Sequence, residues 1–113
     1  MARLLTDNPA AYDTLLTRRE QAACAGTHRH EHVAVRFAAK EAVLKAFGTG
    51  LAPRMRWTDV EVVRRRGGRP EIELHGEVAA LARRRGLAAL DVSLTHTAGL
   101  ALAHAVAVWN PRS

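Results

Sequence analysis

Apolar positions recur at helical spacing through the first half of the chain and at alternating spacing through much of the second. Asn8-Pro9 reads as a cap followed by proline at the first helical position, opening a short turn through Tyr12. Thr17-Arg18-Arg19-Glu20 matches a capping box, in which Thr17 and Glu20 satisfy each other's exposed amides, and it predicts a helix from Arg18 to about Ala25, stopped by Gly26. A polar link rich in histidine follows. Val33, Phe37, Leu44 and Phe47 then fall on or near one stripe, which predicts the main helix over residues 31–47. Gly48 stops it, because glycine tolerates positive φ.

Asp59 to Arg64 alternates, with Val60 and Val62 opposed to Glu61 and Val63, and predicts a strand. Gly67-Gly68 is a turn, and Glu71-Ile72-Glu73-Leu74 alternates again, so the two runs predict an antiparallel hairpin. Gly76 to Arg85 predicts a further helix, with Val78, Leu81 and Ala82 inward and three arginines where the helix dipole favours cations. Leu90–Thr95 and Leu100–Trp109 predict two more strands joined across Thr97-Ala98-Gly99. Helices first and strands mostly in hairpins imply an α+β fold in one domain spanning residues 1–113.

Composition narrows the function classes. Hydrophobic content of 48% with 25% charged residues is that of a soluble globular chain. No run approaches the roughly 18 apolar residues of a membrane helix, and the N-terminus carries no signal pattern. Cys24 is the single cysteine, which excludes an internal disulfide and suits a reducing compartment, so the cytoplasm is expected. It reads as a small buried hydrophobe. The net charge of +6 points to an acidic partner or ligand. Lys40 and Lys45 are the only lysines, so arginine carries the charge, a bias that codon composition alone can produce. Aromatic content of 4% is low for a single-strand nucleic-acid binder, which needs stacking platforms, so no nucleic-acid partner is expected.

Glu41 stands one turn before Lys45, and taken alone the two read as a surface ion pair stabilising by about 0.3–0.5 kcal/mol. Arg36 and Lys40, also one turn apart, read as a solvated basic face. The continuation into Phe47-Gly48-Thr49-Gly50 changes this picture, because glycines let backbone amides approach a phosphate closely. Ser93 and Thr95 give one polar face to a strand that ends at His96, where a histidine is more often a structural hydrogen-bonding residue than a catalyst. His28, His30 and His32 alternate but lack a fourth ligand at zinc-site spacing. Arg64-Arg65-Arg66 and Arg83-Arg84-Arg85 read as solvated faces.

The run Arg36-Phe37-Ala38-Ala39-Lys40-Glu41-Ala42 through Lys45-Ala46-Phe47-Gly48-Thr49-Gly50 resembles the signature of holo-acyl-carrier-protein synthases, the small 4′-phosphopantetheinyl transferases. Leu16-Thr17-Arg18, Trp57-Thr58-Asp59-Val60-Glu61-Val62, Gly68-Arg69-Pro70 and Val92-Ser93-Leu94-Thr95-His96-Thr97 resemble further blocks of that family in the same order. The resemblance covers nearly the whole chain. It implies the family's α+β fold, with helices packed on an antiparallel sheet. It also implies transfer of phosphopantetheine from coenzyme A to a serine of an acidic acyl carrier protein, in fatty-acid or polyketide synthesis, with release of adenosine 3′,5′-bisphosphate and help from magnesium.

Carried over by position, Glu41 would be a metal ligand that positions or deprotonates the attacking hydroxyl. Lys45 would bind coenzyme A phosphate, and Arg36, Gly48, Arg69 and Pro70 would form more of its cradle. His96 would lie near the pyrophosphate, which makes Glu41, Lys45 and His96 the catalytic candidates. The family opens with a strand of the form glycine, apolar, aspartate, whose aspartate is the other metal ligand. Met1-Ala2-Arg3-Leu4-Leu5 resembles the helix after that strand, so the expectation is a domain shortened at its N-terminus with one carboxylate for magnesium. The resemblance also implies a homotrimer with sites between subunits. A non-catalytic member that binds coenzyme A or carrier protein is the alternative.

Overall fold

The computed structural model describes residues 8–97 and 99–111, so the expectation for the N-terminal segment lies outside the described residues. Helix α1 spans Pro9–Leu15, with the Asn8 Oδ1 accepting from the amides of Ala10 (3.1 Å) and Ala11 (3.2 Å). It runs a turn beyond the predicted stop at Tyr12, because Leu15 and Leu16 are buried in a small cluster with Cys24 and Val33. Helix α2 spans Arg18–Cys24 and begins with the predicted capping box of Thr17 and Glu20. Helix α3 spans Arg29–Ala46, and Gly48, at a φ of 78°, ends it as expected.

A 3-10 turn over Trp57–Asp59 leads into strand β1 (Val60–Arg64), which pairs antiparallel with β2 (Pro70–Leu74). Glu61 faces Glu73 and Val62 faces Ile72 across the hairpin. The predicted alternation of burial in β1 does not hold, since Val60, Glu61, Val62 and Val63 are all buried. The core covers one face of the strand, and side chains of α2 reach across to the Glu61 side. Helix α4 spans Gly76–Arg85 and ends at Gly86 in the left-handed conformation. Gly76 has a φ of 55° and must be glycine, because a Cβ there would lie 2.6 Å from Asp59 Oδ1.

Strands β3 (Leu87–Thr97) and β4 (Leu100–Trp109) form a second antiparallel hairpin. β3 begins three residues before the predicted strand, because Leu87 and Ala89 find partners in Trp109 and Val108. The four strands form two two-stranded ladders, with β2 beside β3, and α3 packs on the β3–β4 hairpin. Val43, Leu44 and Phe47 of α3 meet Val60, Val78, Ala82 and Val92 in the main core. No helix among the described residues is long and apolar enough to cross a membrane.

β4 turns its small residues inward. Ala101, Ala103, Ala105 and Ala107 are half-buried under α3, while Leu100, Leu102, Val106 and Val108 keep 48–61% of their surface exposed. Alanines let a helix approach a strand closely, and the larger apolar residues are left as an uncovered stripe on the other face.

The reading of Arg36 and Lys40 as a solvated basic face is overturned. Lys40 is fully buried and donates to Glu20 Oε1 (2.9 Å), to the Trp57 carbonyl (3.0 Å) and to the Val60 carbonyl. Glu20, also fully buried, accepts from Thr17 N (3.0 Å) and Val62 N (2.9 Å). Burial pulls the Lys40 pKa down, and Glu20 works against that shift. Removing one partner of such a pair strands the other charge, which costs about 3–5 kcal/mol. Lys40→Met is therefore expected to destabilise by that order in chemical denaturation. The double variant Lys40→Met, Glu20→Gln should lose less than the sum of the two single changes, and additive losses would rule out the coupling.

Candidate active site

α3 carries the candidate residues on opposite sides. Each residue turns the helix by about 100° and rises about 1.5 Å, so Lys45 lies about 180° around and about 13.5 Å along from Arg36. Arg36 belongs to the buried face, together with Ala39, Lys40 and Val43. Glu41 is half-buried at the border of the outward face and Lys45 is exposed on it. Among the described residues no ion pair joins Glu41 to Lys45, nor either one to another residue, so the expected surface pair is absent and both charges are available to a ligand.

The loop after α3 differs from the expectation of a phosphate cradle built from amides. Gly48 N donates to Lys45 O (2.9 Å), and Thr49 N and Gly50 N both donate to Leu44 O (3.2 and 3.3 Å). These amides cap the helix and are spent on it. Arg85 Nη1 reaches from α4 to the Phe47 carbonyl at 2.7 Å, and its guanidinium sits 4.7 Å over the Trp109 ring. Phe47 meets Trp109 edge-on at 5.1 Å. This clasp holds the end of α3, and nothing in local sequence marks it, because Phe47 and Arg85 lie 38 residues apart and Trp109 lies further along the chain.

The second group gathers at the other end of the helix. Arg36 is 2% exposed; its Nη1 donates to the His32 carbonyl at 3.2 Å, and its Nε finds no partner among the described residues. His96, exposed on β3, lies with its ring centroid 6.2 Å from that of His32. Arg64 acts on His32 from the end of β1, where it faces Pro70 in register and donates to Gly68 O at 2.6 Å. Arg69 is exposed beside Pro70, and its carbonyl accepts from Arg65 N at 2.9 Å. The chain thus brings Arg36 and His96 to the region around His32 near the start of α3, while Pro70 is paired with Arg64 at the end of β1. It leaves Glu41, Lys45 and Gly48 on the far side.

Sequence reading missed a polar cluster on the outer face of β1–β2. Glu61, Glu73 and His75 bring ligand atoms within 4.8 Å of one another. Arg19 Nη2 already bridges Glu61 Oε1 and Glu73 Oε1, each at 2.8 Å. Glu61 also accepts from Thr17 Oγ1 (2.6 Å) and meets His75 Nε2 (2.9 Å). A cation here would have to displace the guanidinium. Glu41, which has no such competitor, fits magnesium better as a single hard oxygen donor that leaves room for phosphate oxygens and water. Cross-strand placement of Glu61 and Glu73 in the predicted hairpin was the available signal. The long-range arrival of Arg19 was not legible.

The pattern of the 4′-phosphopantetheinyl transferase superfamily matches residues 2–103. A holo-[acyl-carrier-protein] synthase of Geobacter sp. (strain M21) is 44% identical over 100 residues, spanning 88% of this chain and 80% of that protein. The enzyme of the same name from Frankia casuarinae is 44% identical over 106 residues, spanning 94% and 85%. Among solved structures, the holo-[acyl-carrier-protein] synthase of Neisseria meningitidis superposes with a TM-score of 0.82 at 28% identity, covering 94% of this chain and 86% of that one. The ACPS–CoA complex of Chronobacterium ammoniagenes superposes with a TM-score of 0.84 at 27% identity, covering 96% and 89%.

Burial of Glu61 works to raise its pKa, but hydrogen bonds from Arg19, Thr17 and His75 overcome it and hold the carboxyl at about 2 instead of 4.5. A depressed carboxyl contributes stability that is complete above its unfolded pKa and is lost as pH falls through the folded one. The window here is therefore between about 4.5 and about 2. Arg19→Ala should move the acid unfolding midpoint, followed by circular dichroism, to higher pH. An unchanged acid limb would remove Arg19 as the cause.

Proposed function

The chain belongs to the 4′-phosphopantetheinyl transferase superfamily, and on that premise we propose that it is a holo-[acyl-carrier-protein] synthase. It moves 4′-phosphopantetheine from coenzyme A to a serine of an acyl carrier protein. The observation that carries this reading is the pair of unengaged charges, Glu41 and Lys45, on the outward side of α3 within the family signature. The serine oxygen forms a bond to the phosphorus that bears pantetheine, and the bond from that phosphorus to the bridging oxygen breaks. Adenosine 3′,5′-bisphosphate leaves with the electron pair, and the serine proton is lost on the side of the Glu41 carboxylate. Lys45 binds and neutralises phosphate oxygens. Bound at Glu41, magnesium would neutralise the pyrophosphate and make the departing phosphate a better leaving group. The charge of +6 favours encounter with an acidic carrier protein. Cys24, buried with a free thiol, suits the reducing cytoplasm, where we place the reaction.

Two features favour a site shared between copies. The Arg36–His96 group and the Glu41–Lys45 group lie on opposite sides of α3, so a ligand touching both is best held between neighbouring protomers. Such a contact joins two different surfaces, which makes a closed ring when the rotation between copies closes. The uncovered stripe of β4 supplies the apolar face that the ring would bury, and a homotrimer is our assignment.

Mass spectrometry of an apo carrier protein, incubated with coenzyme A and magnesium, tests the chemistry. Wild type should add phosphopantetheine, and Glu41→Gln should reduce the rate by orders of magnitude. Lys45→Ala should weaken coenzyme A binding in calorimetry by about 1.5–3 kcal/mol, the range for charge-assisted hydrogen bonds. Wild type that binds coenzyme A without transfer would instead support a non-catalytic member.

The assembly has its own test. Val106→Arg, on the exposed stripe, should give a folded monomer by light scattering and abolish transfer. A trimer that survives this change would show that β4 does not form the interface.

A further inference from the structure

We propose that Arg85 is a positioning residue for the transfer reaction: by capping the Phe47 carbonyl from α4, it keeps the Lys45 ammonium off the end of its own helix and free for phosphate. This deepens the proposed function and rests on it, since Lys45 is the phosphate-binding side chain of that reading. Lys45 stands in the last turn of α3, and Phe47 is the C-cap. A helix end carries a partial negative charge on carbonyls that lack intrahelical partners. A lysine in the last turn is well placed to hydrogen-bond those carbonyls. Without other partners for them, Lys45 would fold back onto its own helix and away from a ligand.

The tertiary structure takes up these acceptors. The Val43 carbonyl accepts from the Phe47 amide (3.0 Å), and the Lys45 carbonyl accepts from the Gly48 amide (2.9 Å). The Leu44 carbonyl accepts from the amides of both Thr49 and Gly50. The Phe47 carbonyl accepts from Arg85 Nη1 at 2.7 Å, across 38 residues of chain.

The guanidinium that reaches it is itself held. It lies 4.7 Å over the Trp109 ring, and Trp109 meets the buried Phe47 ring edge-on at 5.1 Å. A guanidinium engaged on its face by an aromatic ring and at its edge by a carbonyl is more fixed than a free surface arginine. Within the triplet that ends α4, Arg84 pairs instead with Glu77 of its own helix at 3.1 Å, so the role belongs to Arg85. Lys45 is exposed and, among the described residues, enters no ion pair.

The chain has only two lysines, and Lys40 is fully buried. Acetylation by acetic anhydride, read by peptide mass spectrometry, therefore follows Lys45, with Lys40 as an internal check of folding. In wild type, Lys45 should acetylate at about the rate of a free lysine side chain. Arg85→Met keeps an unbranched chain against Trp109 and removes the donor. It should slow Lys45 acetylation about three- to tenfold, the span of one net hydrogen bond, with Lys40 still unmodified. Calorimetry should show coenzyme A binding weakened by a similar factor, and Arg85→Lys, which restores a cationic donor, should recover most of both. Because Arg85 acts through Lys45, Arg85→Met should cost no further affinity in a Lys45→Ala background. If Arg85→Met exposes Lys40 to the reagent, Arg85→Ala, with the best helix former, takes its place with the same outcomes. Unchanged Lys45 acetylation in the variant, or an affinity loss that persists undiminished without Lys45, would overturn this inference alone. Wild type that does not bind coenzyme A would overturn the proposed function, and the acetylation arm, which uses no ligand, would still decide whether Arg85 frees Lys45.

Discussion

The buried pair of Lys40 and Glu20 fixes the rotation of α3, and the placement of the candidate residues depends on that rotation. Lys40 reaches through the core to Glu20 and to two carbonyls around the start of β1. Glu20 in turn holds the Thr17 amide of its own helix and the Val62 amide of β1. One ion pair thus ties two helices and a strand, with its hydrogen-bonding groups met. A low-dielectric interior penalises any rearrangement that leaves either charge unpaired. Neighbouring helix positions are separated by about 100°, so sending Lys40 inward sends Glu41 toward the border with solvent. The structural lysine sets the aim of the glutamate beside it.

That rotation also divides the charge. Arg36 follows Lys40 into the interior, whereas Lys45 stays in solvent. The alanines of β4 let α3 lie close against the β3–β4 hairpin, and Arg85 with Trp109 secures its far end. The helix carries one cationic group near its start and another charged pair on the opposite flank near its end. A chain built this way presents two separate charged groups and one apolar stripe.

Local patterns carried well into the fold. The Asn8 and Thr17 caps, the Gly48 stop, and the β1–β2 turn at Gly67-Gly68 all appear in the structure, because each depends on interactions within a few residues. Resemblance in residues 36–50 led to the family, and the comparisons bear that out. The misplaced elements were those whose limits are set by distant contacts. α1 lengthens where Leu15 and Leu16 meet Cys24 and Val33, and β3 lengthens where Trp109 offers a partner.

Sequence alone determined the kind of elements, their order and the residues available for chemistry, since periodicity, caps and glycine positions are local properties of the backbone. It could not decide which lysine of the signature is buried, because Lys40 and Lys45 differ in environment only once Glu20 and β1 surround one of them. Nor could it foresee that β4 would face its alanines inward and its leucines and valines outward, since alternation names two faces without saying which meets a helix. The amides of Gly48–Gly50 were assigned by folding to the end of α3, and the orphaned Nε of Arg36 was left beside His32 and His96. Those outcomes belong to tertiary structure, because burial and partnership are relations between segments far apart in the chain.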